Sequence, residues 1–145
     1  MKLIITVGLP GSGKSTYLAR LGVNAISSDE VRRLIADDPH DQSMNARIFS
    51  TIRYLIRQRI AAGRPVTYVD ATHLRPWERK PYVKIAQRYG CTLEALFFDV
   101  PVEICIVRNQ ARERVVPEAA ILKMAQSMIP PSIEEGFTEI TRITA

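Results

Sequence analysis

A chain of 145 residues with 46% hydrophobic and 24% charged side chains is sized for one soluble globular domain, residues 1–145, and it carries no internal repeat or low-complexity segment. No apolar run approaches a membrane span and the N-terminus enters a strand pattern directly, so neither a membrane partner nor a signal peptide is expected. The net charge of +5 carries fifteen arginines to five lysines, a bias suited to bidentate binding of phosphate in a substrate or partner.

Strand and helix patterns alternate along the chain. Residues 1–7 read as a first strand and 14–21 as a helix. Residues 24–27 read as a short second strand, after which Ser28 or Asp29 would cap a helix running to residue 36, with Glu30 in its first turn. Residues 37–41 form a turn. Met44, Ile48, Ile52, Leu55, Ile56 and Ile60 then recur at three- and four-residue intervals, an amphipathic helix ended by Gly63. Residues 65–69 are a third strand. Residues 75–89 look helical up to Gly90, but Pro81 interrupts the ladder, so a separate turn is expected at 76–79 and the helix proper near Lys80. Residues 92–98 follow as a fourth strand, 102–110 and 117–128 as helices, and 137–144 as a last strand. The alternation implies an α/β fold, a mostly parallel sheet covered by helices on both faces, with ligands at the carboxyl ends of the strands.

The segment Gly8-Leu9-Pro10-Gly11-Ser12-Gly13-Lys14-Ser15-Thr16 sits between the first strand and the first helix and fits G-x-x-x-x-G-K-[ST]. A strand that turns through Gly8, Gly11, Ser12 and Gly13 into a helix directs backbone N–H groups and the positive helix end at a phosphate. In that arrangement Lys14 reaches the β/γ-phosphates of ATP and the Ser15 hydroxyl holds Mg²⁺. Asp70 ends the third strand, where a carboxylate beside Ser15 would order the same ion through water.

Two further groups suggest an acceptor and a lid. Asp29 and Arg32, three residues apart, share a helix face; a carboxylate there could take a proton from an attacking hydroxyl while the arginine holds a phosphate of the same molecule. Thr72, His73, Arg75 or Arg79, past the third strand, could line the acceptor side. Arg108, Arg112 and Arg114 stand at or beyond a helix end, and with a lid of about residues 109–117 they could close over ATP and neutralise charge on the moving phosphoryl group. Arg53 and Arg57 share a face opposite the apolar stripe of their helix, where they would either touch a polyanion or serve solubility. Cys91 and Cys105 match no metal or redox spacing and read as buried thiols in a reducing compartment, the cytoplasm.

These blocks together resemble the 5′-kinase domain of the polynucleotide kinases, within the wider P-loop kinase group. The resemblance rests on the loop just quoted, on Ser27-Ser28-Asp29-Glu30-Val31-Arg32, on Val69-Asp70-Ala71-Thr72-His73-Leu74 with Arg79, and on Arg108-Asn109-Gln110-Ala111-Arg112. It implies a P-loop NTPase three-layer sandwich with strand order 2-3-1-4-5. It also implies Asp29 as general base, Arg32 on the acceptor's phosphate, Lys14, Ser15 and Thr16 at the ATP phosphates and Mg²⁺, and Arg112, with Arg108, as the lid clamp. His73 stands where the family often has Asn. The implied reaction is transfer of the γ-phosphate of ATP to the 5′-OH of RNA or DNA. The residues alone also allow a kinase of a sugar or nucleoside alcohol, or a non-kinase ATP-binding nucleic-acid module. They do not fix an oligomeric state.

Overall fold

Strand β1 (Lys2–Val7) lies at the centre of the sheet because both of its faces are apolar: Leu3, Ile5 and Val7 are buried in one cluster and Ile4 in another. The computed structural model describes residues 1–112 and 115–145. β1 pairs in parallel with β3 (Val66–Asp70) on one side and β4 (Thr92–Phe98) on the other. The short β2 (Ile26–Ser27) and β5 (Glu139–Ile143) complete a five-stranded parallel sheet in the order 2-3-1-4-5, as the resemblance implies.

The helices are α1 (Lys14–Leu21), α2 (Ser28–Ala36), α3 (Asn45–Ala61), α4 (Pro76–Tyr89), α5 (Val102–Gln110) and α6 (Glu118–Ser127). The apolar stripe of α3, Ile48, Ile52 and Ile56, shares the larger core with Tyr82, Ile85 and Ala86 of α4 and Val31 of α2. Leu18 of α1 packs on the opposite sheet face with Ile4, Leu96 and Phe98. A third cluster, Leu9, Leu74, Val100 and Cys105, joins α5 to the carboxyl edge of the sheet. Among the described residues no helix is long and apolar enough to cross a membrane.

Two local expectations are corrected. The cap of α2 is Ser27, whose hydroxyl accepts from the Glu30 N–H at 3.3 Å; it precedes both candidates read from the sequence. Pro81 does not split its helix: α4 is continuous from Pro76 and carries Pro81 inside. A mid-helix proline costs about 3 kcal/mol, and the residues flanking it are anchored on both sides. Tyr82 is buried in the core. Arg79 is 0% exposed, with Nε and Nη2 donating to the Glu135 carboxylate at 2.8 and 3.0 Å and Nη1 donating to the His73 carbonyl at 2.8 Å. Glu135 also accepts from the Ser132 N–H at 2.9 Å, in a 3₁₀ turn (Ile133–Glu135) that no sequence pattern announced.

Truncating Glu135 would leave a buried guanidinium without its counter-charge. Glu135→Ala is therefore expected to lower unfolding free energy by about 3–5 kcal/mol, measured by urea denaturation. Arg79→Met in the same background should recover most of that loss.

Candidate active site

The turn after β1 is built so that its backbone faces inward. Gly11 adopts φ +82°, and a Cβ there would fall 2.3 Å from the Cys105 carbonyl oxygen, so the loop presses directly on α5. Gly13 caps α1 at φ +97°. At Gly8 a Cβ would lie 2.9 Å from that of Phe98, so the loop leaves the sheet at van der Waals contact with β4. The Gly8 N–H donates to the Thr72 carbonyl at 3.0 Å, tying the loop to the segment after β3.

Lys14 is buried at the floor of this loop, its ammonium donating to the Leu9 carbonyl at 2.8 Å. Burial pushes its pKa down to about 8; Asp70 and Asp29 pull the other way, and Arg112 adds to the depression. Ser15 donates its hydroxyl proton to Asp70 Oδ2 at 2.7 Å, so the first turn of α1 and the end of β3 meet as the spacing implied. Ser12 Oγ is buried without a hydrogen-bond partner. A glycine-lined cradle, an ammonium, an orphaned hydroxyl and a hydroxyl–carboxylate pair together fit a nucleotide polyphosphate and its hydrated Mg²⁺.

Lys14, Ser15, Asp29, Arg32, Asp70, Thr72, His73 and Arg112 all line one cleft of about 850 Å³. Arg112, half-buried, stands 4.0 Å from Asp29 Oδ2. Arg108 Nη1 lies 3.5 Å from the Ser12 carbonyl oxygen, over the phosphate loop. Arg32 is buried, with Nη1 donating to the Asp41 carbonyl at 3.0 Å and to Asn45 Oδ1 at 2.6 Å. Thr16 is exposed on the first turn of α1 and does not line the cleft. Arg114, the remaining lid arginine, lies outside the described residues.

Two candidate acceptor residues prove to be structural. Arg79 does not reach the cleft; all of its bonds go to Glu135 and the His73 backbone. His73 is 2% exposed and sits at φ 45°. Its Nδ1 lies 2.6 Å from the Thr6 carbonyl and its Nε2 2.9 Å from the Tyr82 hydroxyl. A carbonyl can only accept, so Nδ1 carries the proton and Tyr82 donates to Nε2; the ring is neutral. Burial first, then Lys14 and Arg79, push its pKa from 6.5 to about 4. Local spacing gave no sign of this, because Thr6, Tyr82 and Glu135 are distant in sequence. It equally hid Asn45, the brace of Arg32, and Asn109, whose buried amide donates to the Val116 carbonyl at 2.6 Å and accepts from its N–H at 3.0 Å.

This fold and phosphate loop define a P-loop domain of the kinase type. The chain belongs to the AAA domain family, which it matches over residues 3–131. Among solved structures it is similar to a chain of the Pnkp1/Rnl/Hen1 RNA repair complex, with a TM-score of 0.71 and 26% identity over 87% of this chain and 43% of that one. It thus spans less than half of that partner in the comparison. A gluconokinase from Sinorhizobium meliloti 1021 gives a TM-score of 0.62 at 17% identity, covering 99% of this chain and 82% of that one. An APS kinase from Mycobacterium tuberculosis, solved in complex with AMPPNP and APS, gives 0.62 at 20% identity, with 99% and 87% covered.

Two pH dependences follow. Below about pH 8 the Lys14 ammonium is present; above it, binding an anion requires proton uptake, so ATP affinity should be flat to about pH 8 and fall beyond. Isothermal titration calorimetry across that range reads the break, and Lys14→Arg should abolish the break whatever else it does to affinity. For His73 the unfolded chain binds its proton first, so stability is lost as pH falls from 6.5 towards about 4. The loss is on the order of 3 kcal/mol, and urea denaturation of His73→Asn should lack that component.

Proposed function

We propose that this protein is a kinase that transfers the γ-phosphoryl group of ATP to a hydroxyl, and that the acceptor is the 5′-OH of an RNA or DNA strand. One observation carries the reading: the Asp29 carboxylate faces the same cleft as Lys14, Ser15, Asp70 and Arg112, and the cleft continues past it rather than closing. A protein that only binds ATP needs no carboxylate at that place.

Bound as its Mg²⁺ complex, ATP supplies the phosphoryl group; the chain supplies position and charge. Lys14 exchanges its Leu9 carbonyl for a phosphate oxygen. Ser15 and Asp70 would hold the Mg²⁺, which would offset charge on the phosphates. Arg112 turns to the phosphates, and the Asp29 carboxylate takes the acceptor's proton as its oxygen bonds to phosphorus and ADP departs. Arg32, fixed by Asp41 and Asn45, offers its guanidinium to the acceptor's phosphate. The likeness to a chain of an RNA repair complex supports a nucleic-acid acceptor. The likeness to gluconokinase and APS kinase supports a small-alcohol acceptor as the second reading. Free thiols at Cys91 and Cys105 fit work in the reducing cytoplasm.

Transfer of labelled phosphate from ATP to a 5′-OH oligonucleotide, run beside a panel of sugars and nucleosides, decides between the acceptors. Asp29→Ala should lower the transfer rate by about 10²–10⁴ with ATP affinity unchanged. Near-full transfer by that variant removes the base assigned here. Tight ATP binding with no transfer to any alcohol leaves a non-catalytic module.

A further inference from the structure

Beyond Asp29 the cleft is walled by one stripe from each of two neighbouring helices. Asn45, Phe49 and Arg53 recur every fourth residue on α3, and Trp77 and Pro81 stand four apart on α4; all five line the cleft. Both stripes continue. One turn beyond Arg53 is Arg57, and beyond Pro81 come Lys84 and Arg88, also on the same helix face. Arg57, Lys84 and Arg88 line a second hollow of about 320 Å³ with Ile85 and Tyr89, and none of these five is acidic. α3 and α4 run side by side over one core, so the groove between them leads from the cleft to the hollow. From Asn45 to Arg57 that path is about 18 Å long.

Each end of the groove carries an aromatic ring paired with an arginine. At the cleft mouth the Arg75 guanidinium sits 5.8 Å from the Trp77 ring centroid, and Trp77 is 64% exposed. At the hollow Arg88 stands 5.8 Å from the ring of Tyr89, which is 40% exposed. A small sugar has no use for three cations beyond the reacting end. A polymer with a phosphate at every step and a flat base between steps matches both the charge and the rings.

We infer that the α3–α4 groove is a track for single-stranded nucleic acid, which holds the acceptor strand downstream of its 5′ end. Trp77 stacks a base near the cleft, and Arg53, Arg57, Lys84 and Arg88 bind successive phosphates. The inference rests on the proposed polynucleotide acceptor and extends it to the length and strandedness of the substrate. An unpaired strand is required because stacking on Trp77 takes a base out of its helix.

The test uses the full chain and two 5′-OH probes, a dinucleotide and a single strand of about twelve nucleotides, the latter within the site sizes of such grooves. Binding is read by anisotropy of a 3′ label and by the fluorescence of Trp77, the one tryptophan in the chain. The longer strand should bind more tightly and quench Trp77. The triple variant Arg57→Ala, Lys84→Ala, Arg88→Ala should weaken it about tenfold or more and flatten the slope of log affinity against log salt by about 2. Phosphorylation of the dinucleotide by that variant should stay at the wild-type rate. Equal binding of the longer strand by wild type and variant, or competition by poly-glutamate as effective as by the strand itself, overturns the track while leaving the acceptor reading intact. Length-dependent binding without phosphorylation of either probe overturns the acceptor reading instead, and the track stands on the binding data.

Discussion

The pairing of Ser27 with Asp70, at the carboxyl ends of β2 and β3, determines where the remaining site residues can be. β3 is itself held to β1 in the register Ile5↔Val69, which sets Asp70 level with the phosphate loop and 2.7 Å from Ser15. α2 begins at Ser28, directly after the paired residue, so Asp29 emerges within one turn of the strand end. A one-residue slip of β3 would send Asp70 to the other face of the sheet and break the Ser15 contact. Three side chains far apart in sequence thus meet because two parallel registers agree. Thr6 secures the agreement: its hydroxyl donates to the Ala71 carbonyl at 2.7 Å and accepts from the Ala71 N–H at 3.1 Å.

The parts of the fold that local chemistry dictates were legible in the sequence. β1 announces itself by its apolar residues, α3 by its stripe, and the phosphate loop by glycines where no side chain fits. Lys14, Ser15, Asp29, Asp70 and Arg112 were legible as candidate site residues, and they share one cleft. What escaped was decided by contacts between distant segments. Pro81 argues against a helix when only its missing N–H is weighed; the buried neighbours at Arg79 and Tyr82 outweigh it. Arg79 and His73 carry the polar chemistry of a binding site, and only burial shows that their partners are inside the protein. Exposure worked in the other direction for Trp77, an apolar residue whose place at the cleft mouth no spacing revealed.

The network of Thr6, His73, Tyr82, Arg79 and Glu135 forms a floor beneath the turn after β3. Its members bond to one another and to backbone, so their donors and acceptors are spent within the fold. A neutral His73 between a carbonyl and a tyrosine hydroxyl is a poor ligand and a poor base, but it holds the turn after β3 in a left-handed conformation that leads Thr72 and Leu74 past the cleft. Replacing any one member strands a polar group in a low-dielectric site, which is more costly than losing a surface contact.

Charge and anchoring then divide the work at the cleft. Among the described residues five cations, Lys14, Arg32, Arg53, Arg75 and Arg112, line it against three carboxylates, Asp29, Asp70 and Glu78, which favours an anionic occupant. Each carboxylate lies near a cation or a hydroxyl that an incoming phosphate or ion can compete for, as Arg112 does at Asp29 and Ser15 at Asp70. On the other side of the cleft Asn109 bonds both faces of its amide to Val116 and so ties the end of α5 to the residue two before α6. The same α5 receives Gly11 of the phosphate loop against its Cys105 carbonyl. The phosphate loop and the Asn109–Val116 tie are thereby registered to one helix.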